Sequence, residues 1–348
     1  MKKIILMIIV GSLLMGCIDL PFLDNNTNDT NDDTINTTNE QNNTQNEPAQ
    51  NSSQTNTNNT QDINNTQNNN QTNEINNTET DNNLEYTYTP DAPLEIYILN
   101  VGYASASLLV KGDFHMLIDA GDPTGGEKII SKLDELNVDD IDVLMITHPV
   151  NKRVSGASRI VDYYDIEEVW DIGVVSEYYE EAKNKMIEKG IPSKTIEAGQ
   201  KYTYNGIDFE FYNPTGTFSY DNEKLNSIVF KVSDRNFNML FTSDVETIEF
   251  RNIGNDHPNL YASIVEVPNN GKSSIRDLNP NNQAIIKIMD QTQPDYLIMS
   301  VGPNNDNSPS PQLITAIETR EIPYYRTDED GTLLISFDNN AYEIYTNK

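Results

Sequence analysis

No lysine or arginine occurs between Lys3 and Lys111, and from Ile18 to about Pro93 apolar residues nearly vanish among Asn, Thr, Gln and Asp. A stretch of that composition cannot bury enough apolar surface to offset the entropy lost on ordering. Whatever core the chain builds must therefore come from Leu94 onward. The sequence divides into a short N-terminal segment (1–16), an Asn/Thr-rich linker expected to be disordered (17–93) and a globular domain (94–348). The domain length suits a single unit.

Lys2 and Lys3 precede an apolar run from Ile4 to Met15, which is too short to span a bilayer and has the shape of an export signal. Leu14-Met15-Gly16-Cys17 resembles a lipobox, and Cys17 is the only cysteine of the chain. Lipidation of Cys17 is therefore expected, giving a membrane-anchored, extracytoplasmic protein. A lone cysteine also excludes an intrachain disulfide and a cysteine-based zinc site. Asn-x-Ser/Thr triplets recur in the linker, at Asn25, Asn28, Asn36, Asn42, Asn51, Asn58, Asn64, Asn70 and Asn76, and none follows Leu94. A glycosylated stalk is the expectation they raise. The formal net charge is −31, from 54 acidic and 23 basic side chains, so nucleic acid is not expected as a partner.

The domain opens with alternating or apolar runs of strand length at Leu94–Leu99, Ser107–Val110 and Phe114–Asp119, joined by turns at Val101–Ser105 and Lys111–Asp113. An amphipathic helix is expected over Glu127–Leu136, a fourth strand over Val143–Ile146, a short strand at Val169-Trp170 and a charged helix over Ser176–Lys189. Further strands are read at Ile207–Phe211, Ser227–Val232, Asn238–Thr242, Ser263–Val267, Tyr296–Ser300, Thr332–Phe337 and Ala341–Tyr345, with a helix starting at Pro311. Two mixed sheets with helices outside is the natural packing of this series.

At the end of the fourth strand stand ten residues, Thr147-His148-Pro149-Val150-Asn151-Lys152-Arg153-Val154-Ser155-Gly156. A strand, a turn with a histidine and a helix start resemble the main metal-binding signature of the metallo-β-lactamase superfamily, Thr-His-x-His-x-Asp-His followed by glycine. On that pattern His148 takes the first His, Val150 the second, Lys152 the Asp and Arg153 the last His. Other blocks follow in order. Leu99–Ser105 is similar to Leu-Asp-Val-Gly-Gln-Gly-Asp, and Leu117–Gly121 to Leu-Ile-Asp-Ala-Gly. Thr242-Ser243-Asp244 resembles Thr-Gly-Asp, whose Asp bridges two metals. Val267–Lys272 resembles Val-Pro-His-His-Gly-Ser, with Asn269 and Asn270 at the histidines. Ser300–Pro309 and Tyr325–Thr332 carry the remaining blocks, with Asn307 and Ser308 where a histidine would stand. These motifs resemble those of the exported domain of the competence protein ComEC and its stand-alone relatives.

The resemblance implies an α/β (α+β) fold, the four-layer αββα sandwich, with the site at the sheet edges. It also implies hydrolysis of phosphodiester or amide bonds by water held between two metals. Each metal needs three or more His or Asp ligands. The residual candidates here are Asp119, His148 and Asp244, while Val150, Lys152, Arg153, Asn269 and Asn270 are degenerate ligand positions. No metal or other cofactor is expected, the alternative being a single weakly held Mn²⁺, Mg²⁺ or Zn²⁺. Lys152 or Arg153 could fill the vacated space and neutralise Asp119 and Asp244, or both could lie on a solvated turn. His115 and His257 match no ligand, Trp170 reads as packing, and Tyr178-Tyr179 as an exposed pair. The glycines of Gly121–Lys128 do not form a phosphate loop, because Glu127 intrudes and Ile129 follows Lys128.

The function so read is a surface-anchored, catalytically degenerate protein acting in binding or scaffolding with an unknown ligand or protein. The alternative is a residual metal-dependent hydrolase, of phosphodiesterase or nuclease type.

Overall fold

The computed structural model describes residues 88–215, 226–258, 260–272, 289–338 and 340–348. The export signal, Cys17, the glycosylation triplets and nearly all of the linker lie outside them. Two mixed sheets form the centre, one of eight strands and one of seven.

The first sheet begins with the antiparallel trio β1 (Leu94–Ile98), β2 (Ser107–Lys111) and β3 (Phe114–Ile118). Three parallel strands extend it: β4 (Asp140–Met145), β5 (Asp165–Asp171) and β6 (Ser193–Thr195). Every residue of β3 is buried, because a strand inside a covered sheet has no solvent face. The chain is tied in before β1, where Thr89 donates its amide to Asn205 Oδ1 at 2.6 Å. The second sheet starts with β7 (Lys201–Tyr204), β8 (Ile207–Asn213), β9 (Val229–Asp234) and β10 (Phe237–Phe241), all antiparallel. It continues in parallel through β11 (Ile264–Glu266), β12 (Tyr296–Met299) and β13 (Tyr324–Arg326). The last hairpin, β14 (Leu333–Asp338) and β15 (Ala341–Thr346), returns to the first sheet beside β1.

Strand alternation sorts the apolar side chains into three cores. Ile96, Met116, Val143 and Trp170 from one sheet meet Phe209, Phe230, Met239 and Ile264 from the other. Trp170 is fully buried, against Phe209 and Phe211 at ring distances of 5.7 and 5.9 Å. The outer face of the first sheet packs on α1 (Pro123–Glu135), α3 (Ala157–Tyr163) and α4 (Glu180–Lys189) through Leu117, Leu144, Ile129, Ile160 and Met186. Between α1 and α3 in sequence lies the four-residue α2 (Asn151–Val154). The outer face of the second sheet is covered by α5 (Thr247–Asp256) and α6 (Pro311–Thr319), with Leu240, Val265, Phe250 and Leu313 between. The order of layers is therefore αββα, as the sequence implies.

Where elements differ from the expectation, a cap or a neighbour decides. Helix α1 starts at Pro123, because the Asp122 carboxylate accepts from the Gly125 amide at 2.6 Å and Pro is suited to the first turn. The short edge strands β6 and β7 are too brief to show a period, and helix α5 was not read from sequence. Tyr178 is 45% exposed, but Tyr179 is fully buried and donates its hydroxyl to Asp171, so the expected exposed pair is only half correct. Among the described residues, no helix is long and apolar enough to cross a membrane.

Candidate functional site

The ends of β3, β4, β10 and β11 converge at one rim, as parallel strands feeding loops tend to do. Asp119 directly follows β3, Thr147 and His148 follow β4, Asp244 follows β10, and Asn269 and Asn270 lie in a tight turn, Pro268–Gly271, beyond β11. Backbone bonds lock these loops together. Ala120 donates to the Arg153 carbonyl at 2.6 Å, Ser105 to that of Lys152 at 3.0 Å, Ile228 to that of Thr147 at 2.9 Å and Asn269 to that of Ser243 at 2.8 Å. Asp119, Ser243, Asn269 and Asn270 all adopt left-handed backbone, with φ of 60°, 52°, 51° and 55°. Small polar residues tolerate that region best, and strained backbone gathers where side chains must be aimed.

Asp119 and Asp244 are buried, and the guanidinium of Arg153, itself 2% exposed, lies between them. Its Nη1 is 2.6 Å from Asp119 Oδ2 and its Nη2 is 3.1 Å from Asp244 Oδ1. Lys152 Nζ reaches the same Asp244 oxygen at 2.9 Å and donates to Asn269 Oδ1 at 3.1 Å and Asn270 Oδ1 at 2.5 Å. His148 Nδ1 lies 3.3 Å from Asp244 Oδ2. Thr147 completes the cradle of Asp119, donating its amide to Oδ1 at 2.8 Å and its hydroxyl to Oδ2 at 2.8 Å. Arg153 is thus a buried ion-pair partner, and the solvated-turn reading fails for it.

Electrostatics follow from this packing. Burial alone would raise Asp244, but the charges of Arg153 and Lys152 and the bond to His148 overcome it and hold its carboxyl well below the usual range. Burial pushes Asp119 up, partly offset by Arg153 and Thr147. Burial works against the charge on Arg153, yet Asp244, Asp119 and the buried Glu266 more than restore it. Glu266, pushed up by burial, accepts the amides of Thr242 and Ser243 at 3.0 and 3.1 Å and fixes the loop that carries Asp244. Arg153 Nε has no hydrogen-bond partner among the described residues, a cost accepted so that both terminal nitrogens meet carboxylates.

Do these side chains fit the metals that the fold implies? The donors that remain are His148, Asp119 and Asp244, and the guanidinium already bonds both carboxylates. Val150 offers no ligand atom, and the amide oxygens of Asn269 and Asn270 are engaged by Lys152. Two metals with three or more ligands each cannot be built from that set. A dication would also have to share its carboxylates with Arg153 at contact distance. The residues do not fit the group.

Above the ion-pair floor opens a cavity of about 460 Å³. Tyr103, Asn151, Tyr178, Lys272 and Asp306 line it together with Lys152 and Asn269. The Tyr103 hydroxyl donates to Asp306 Oδ2 at 3.0 Å, and Lys272 pairs with the same carboxylate at 2.9 Å. Sequence reasoning missed Tyr103, Asn151, Tyr178 and Asp306 as site residues. Tyr103, Asn151 and Asp306 fall inside the motif blocks, which was the available signal, and Tyr178 lies outside them. Of the other histidines, His257 lies edge-on to the Tyr212 ring at 4.9 Å. His115 lies toward the opposite ends of β3 and β4, where its ring and the carboxylates of Asp140 and Asp142 offer atoms within 4.8 Å of one another.

Two mixed sheets between helical layers, with Asp and His side chains gathered at the strand ends, define a metallo-β-lactamase-fold protein. Within that class the chain is similar to ComEC-type competence proteins. ComE operon protein 3 of Bacillus subtilis (strain 168) is 23% identical over 221 residues, covering 62% of this chain and 27% of that protein. Competence protein ComA of Neisseria gonorrhoeae is 22% identical over 257 residues, covering 71% of this chain and 33% of that protein. The matched regions thus span a third or less of these curated relatives. Among solved structures, the metallo-β-lactamase fold protein YhfI from Bacillus subtilis matches with a TM-score of 0.47 at 10% identity, over 71% of this chain and all of that one. CmlA, a diiron β-hydroxylase from Streptomyces venezuelae, matches with a TM-score of 0.46 at 10% identity, over 72% of this chain and 55% of that one. No family model matches the chain.

Proposed function

We propose that this metallo-β-lactamase-fold protein is a metal-independent binding protein that holds a ligand in the strand-end cavity and performs no hydrolysis. The observation that carries the reading is Arg153 bridging Asp119 and Asp244 at 2.6 and 3.1 Å, the two carboxylates that a hydrolytic site would give to metal. A resident cation of fixed charge pairs with both carboxylates but supplies no open coordination position for water. Fold alone does not imply activity. The similarity to competence proteins supports a membrane-associated or extracytoplasmic setting, and the lipobox-like Cys17 supports a lipid anchor.

Elemental analysis of the purified full chain after incubation with Zn²⁺ and Mn²⁺, paired with an assay on a chromogenic phosphodiester, tests the reading. The expected result is far less than one equivalent of metal and background hydrolysis. Two tightly bound ions with turnover would replace it by the alternative, a metal-dependent phosphodiesterase. A Cys17→Ser chain is expected to move from the membrane to the soluble fraction; unchanged membrane retention would remove the lipid anchor.

A further inference from the structure

The cavity has several cationic and anionic side chains but little net charge to offer. Lys272 is paired with Asp306, and Lys152 with Asp244, which also takes Arg153. With its cations already answered by carboxylates, the cavity attracts a phosphate or a carboxylate weakly. The groups left for a ligand are neutral or single. The Asn151 side chain is exposed, and the Nδ2 of Asn269 makes no hydrogen bond among the described residues. Asp122 also lines the cavity, and its Oδ1 takes both the Gly125 amide that caps α1 and the Thr124 hydroxyl, while its Oδ2 makes no hydrogen bond among the described residues. Two tyrosine rings join these polar groups on the wall, Tyr103 half-buried and Tyr178 45% exposed.

Amides and a carboxylate that can meet vicinal hydroxyls, beside aromatic rings that can meet C–H faces, are complementary to a pyranose ring. The volume suits a ligand of one or two such rings. Resting on the metal-independent binding reading above, we infer that the ligand is a neutral sugar. Tyr178 and Tyr103 stack on it, and Asn151, Asn269 and Asp122 bond its hydroxyls. The same chemistry serves a free sugar and one unit of a longer glycan.

The full chain is titrated with glucose, galactose, N-acetylglucosamine, maltose, cellobiose and N,N′-diacetylchitobiose, using saturation-transfer NMR and amide chemical shifts. Inorganic phosphate and the dinucleotide pTpT are the anionic probes. At least one neutral sugar is expected to bind with a Kd on the order of 1 mM and to shift amides around Tyr103, Asn151 and Asn269. Tyr178→Ala and Asn151→Ala are expected to weaken it about tenfold each. Tyr163→Ala, an exposed tyrosine outside the cavity, is expected to leave binding unchanged. Tighter binding of a longer oligomer than of its disaccharide identifies a glycan chain, and equal binding a free sugar. If only phosphate or pTpT shifts the cavity amides, the sugar inference is wrong while the binding reading stands. If no probe shifts them, both fall.

Discussion

Arg153 illustrates how one side chain can hold two buried carboxylates together at a sheet rim. Buried between Asp119 and Asp244, it removes the repulsion that two unpaired carboxylates would impose on the strand ends. Truncating one partner of such a cluster leaves uncompensated charge. Arg153→Met is therefore expected to cost about 3–5 kcal/mol of stability by denaturant unfolding. The triple variant Arg153→Met, Asp119→Asn, Asp244→Asn removes both carboxylate charges with the guanidinium between them, leaving Lys152, 20% exposed, to Asn269, Asn270 and solvent, and is expected to regain part of that loss. Equal stability of the single variant and the wild type would show that Arg153 is not the pairing cation. Asp142 gives a second residue-scale prediction. Burial, with the nearby charges of Asp140 and Glu167, lifts its carboxyl to about 7 from an ordinary 3.8. Between those two values the folded chain binds more protons than the unfolded one, so this group makes stability fall as pH rises, levelling off above 7. Asp142→Asn, whose amide oxygen can still accept from the His115 backbone, is expected to flatten that slope in thermal melts at pH 4 to 7.

At the scale of elements, the site depends on how closely α1 and α3 approach behind the loop that carries Arg153. Gly126 and Gly156 face each other there, and a Cβ at Gly126 would stand 3.2 Å from Gly156 Cα. A Cβ at Gly156 would sit well inside contact distance of the Ala120 carbonyl oxygen, which is backbone and cannot swing away. Ala120 in turn donates to the Arg153 carbonyl and follows Asp119. Gly156→Ala is therefore expected to destabilise by about 1–3 kcal/mol through overpacking, measured as a lower urea midpoint, and to broaden the Arg153 side-chain NMR signals. An unchanged midpoint would mean that α3 can shift without disturbing the site. The glycine that ends the ten-residue motif is thus a packing requirement of the fold.

At the scale of the whole molecule, a net charge of −31 sets what can approach. Single- and double-stranded DNA oligonucleotides are expected to show no saturable binding in fluorescence anisotropy, even at low salt where phosphate contacts are strongest. Tight, salt-sensitive binding would favour a nuclease-like reading instead. The αββα layering, most strands and the helix at Pro311 were legible in the chain order and alternation of apolar residues. Legible too was that Asp119, His148 and Asp244 come together, because each closely follows an apolar run of strand length. The short edge strands β6 and β7 were not legible, since three or four half-exposed residues carry no usable period.

By itself the sequence determined which segment could form a core, the order of its layers and the placing of Val150 and Arg153 on histidine positions and Lys152 on an aspartate position of the resembled motif, because local pattern and motif spacing are written along the chain. Only the tertiary structure decided that Arg153 turns inward to both carboxylates, that Lys152 reaches Asn269 and Asn270, and that Tyr103 and Tyr178 share one cavity. Those contacts join residues far apart in the chain, and side-chain direction at a sheet rim is fixed by the packing of both sheets together, which no single stretch encodes.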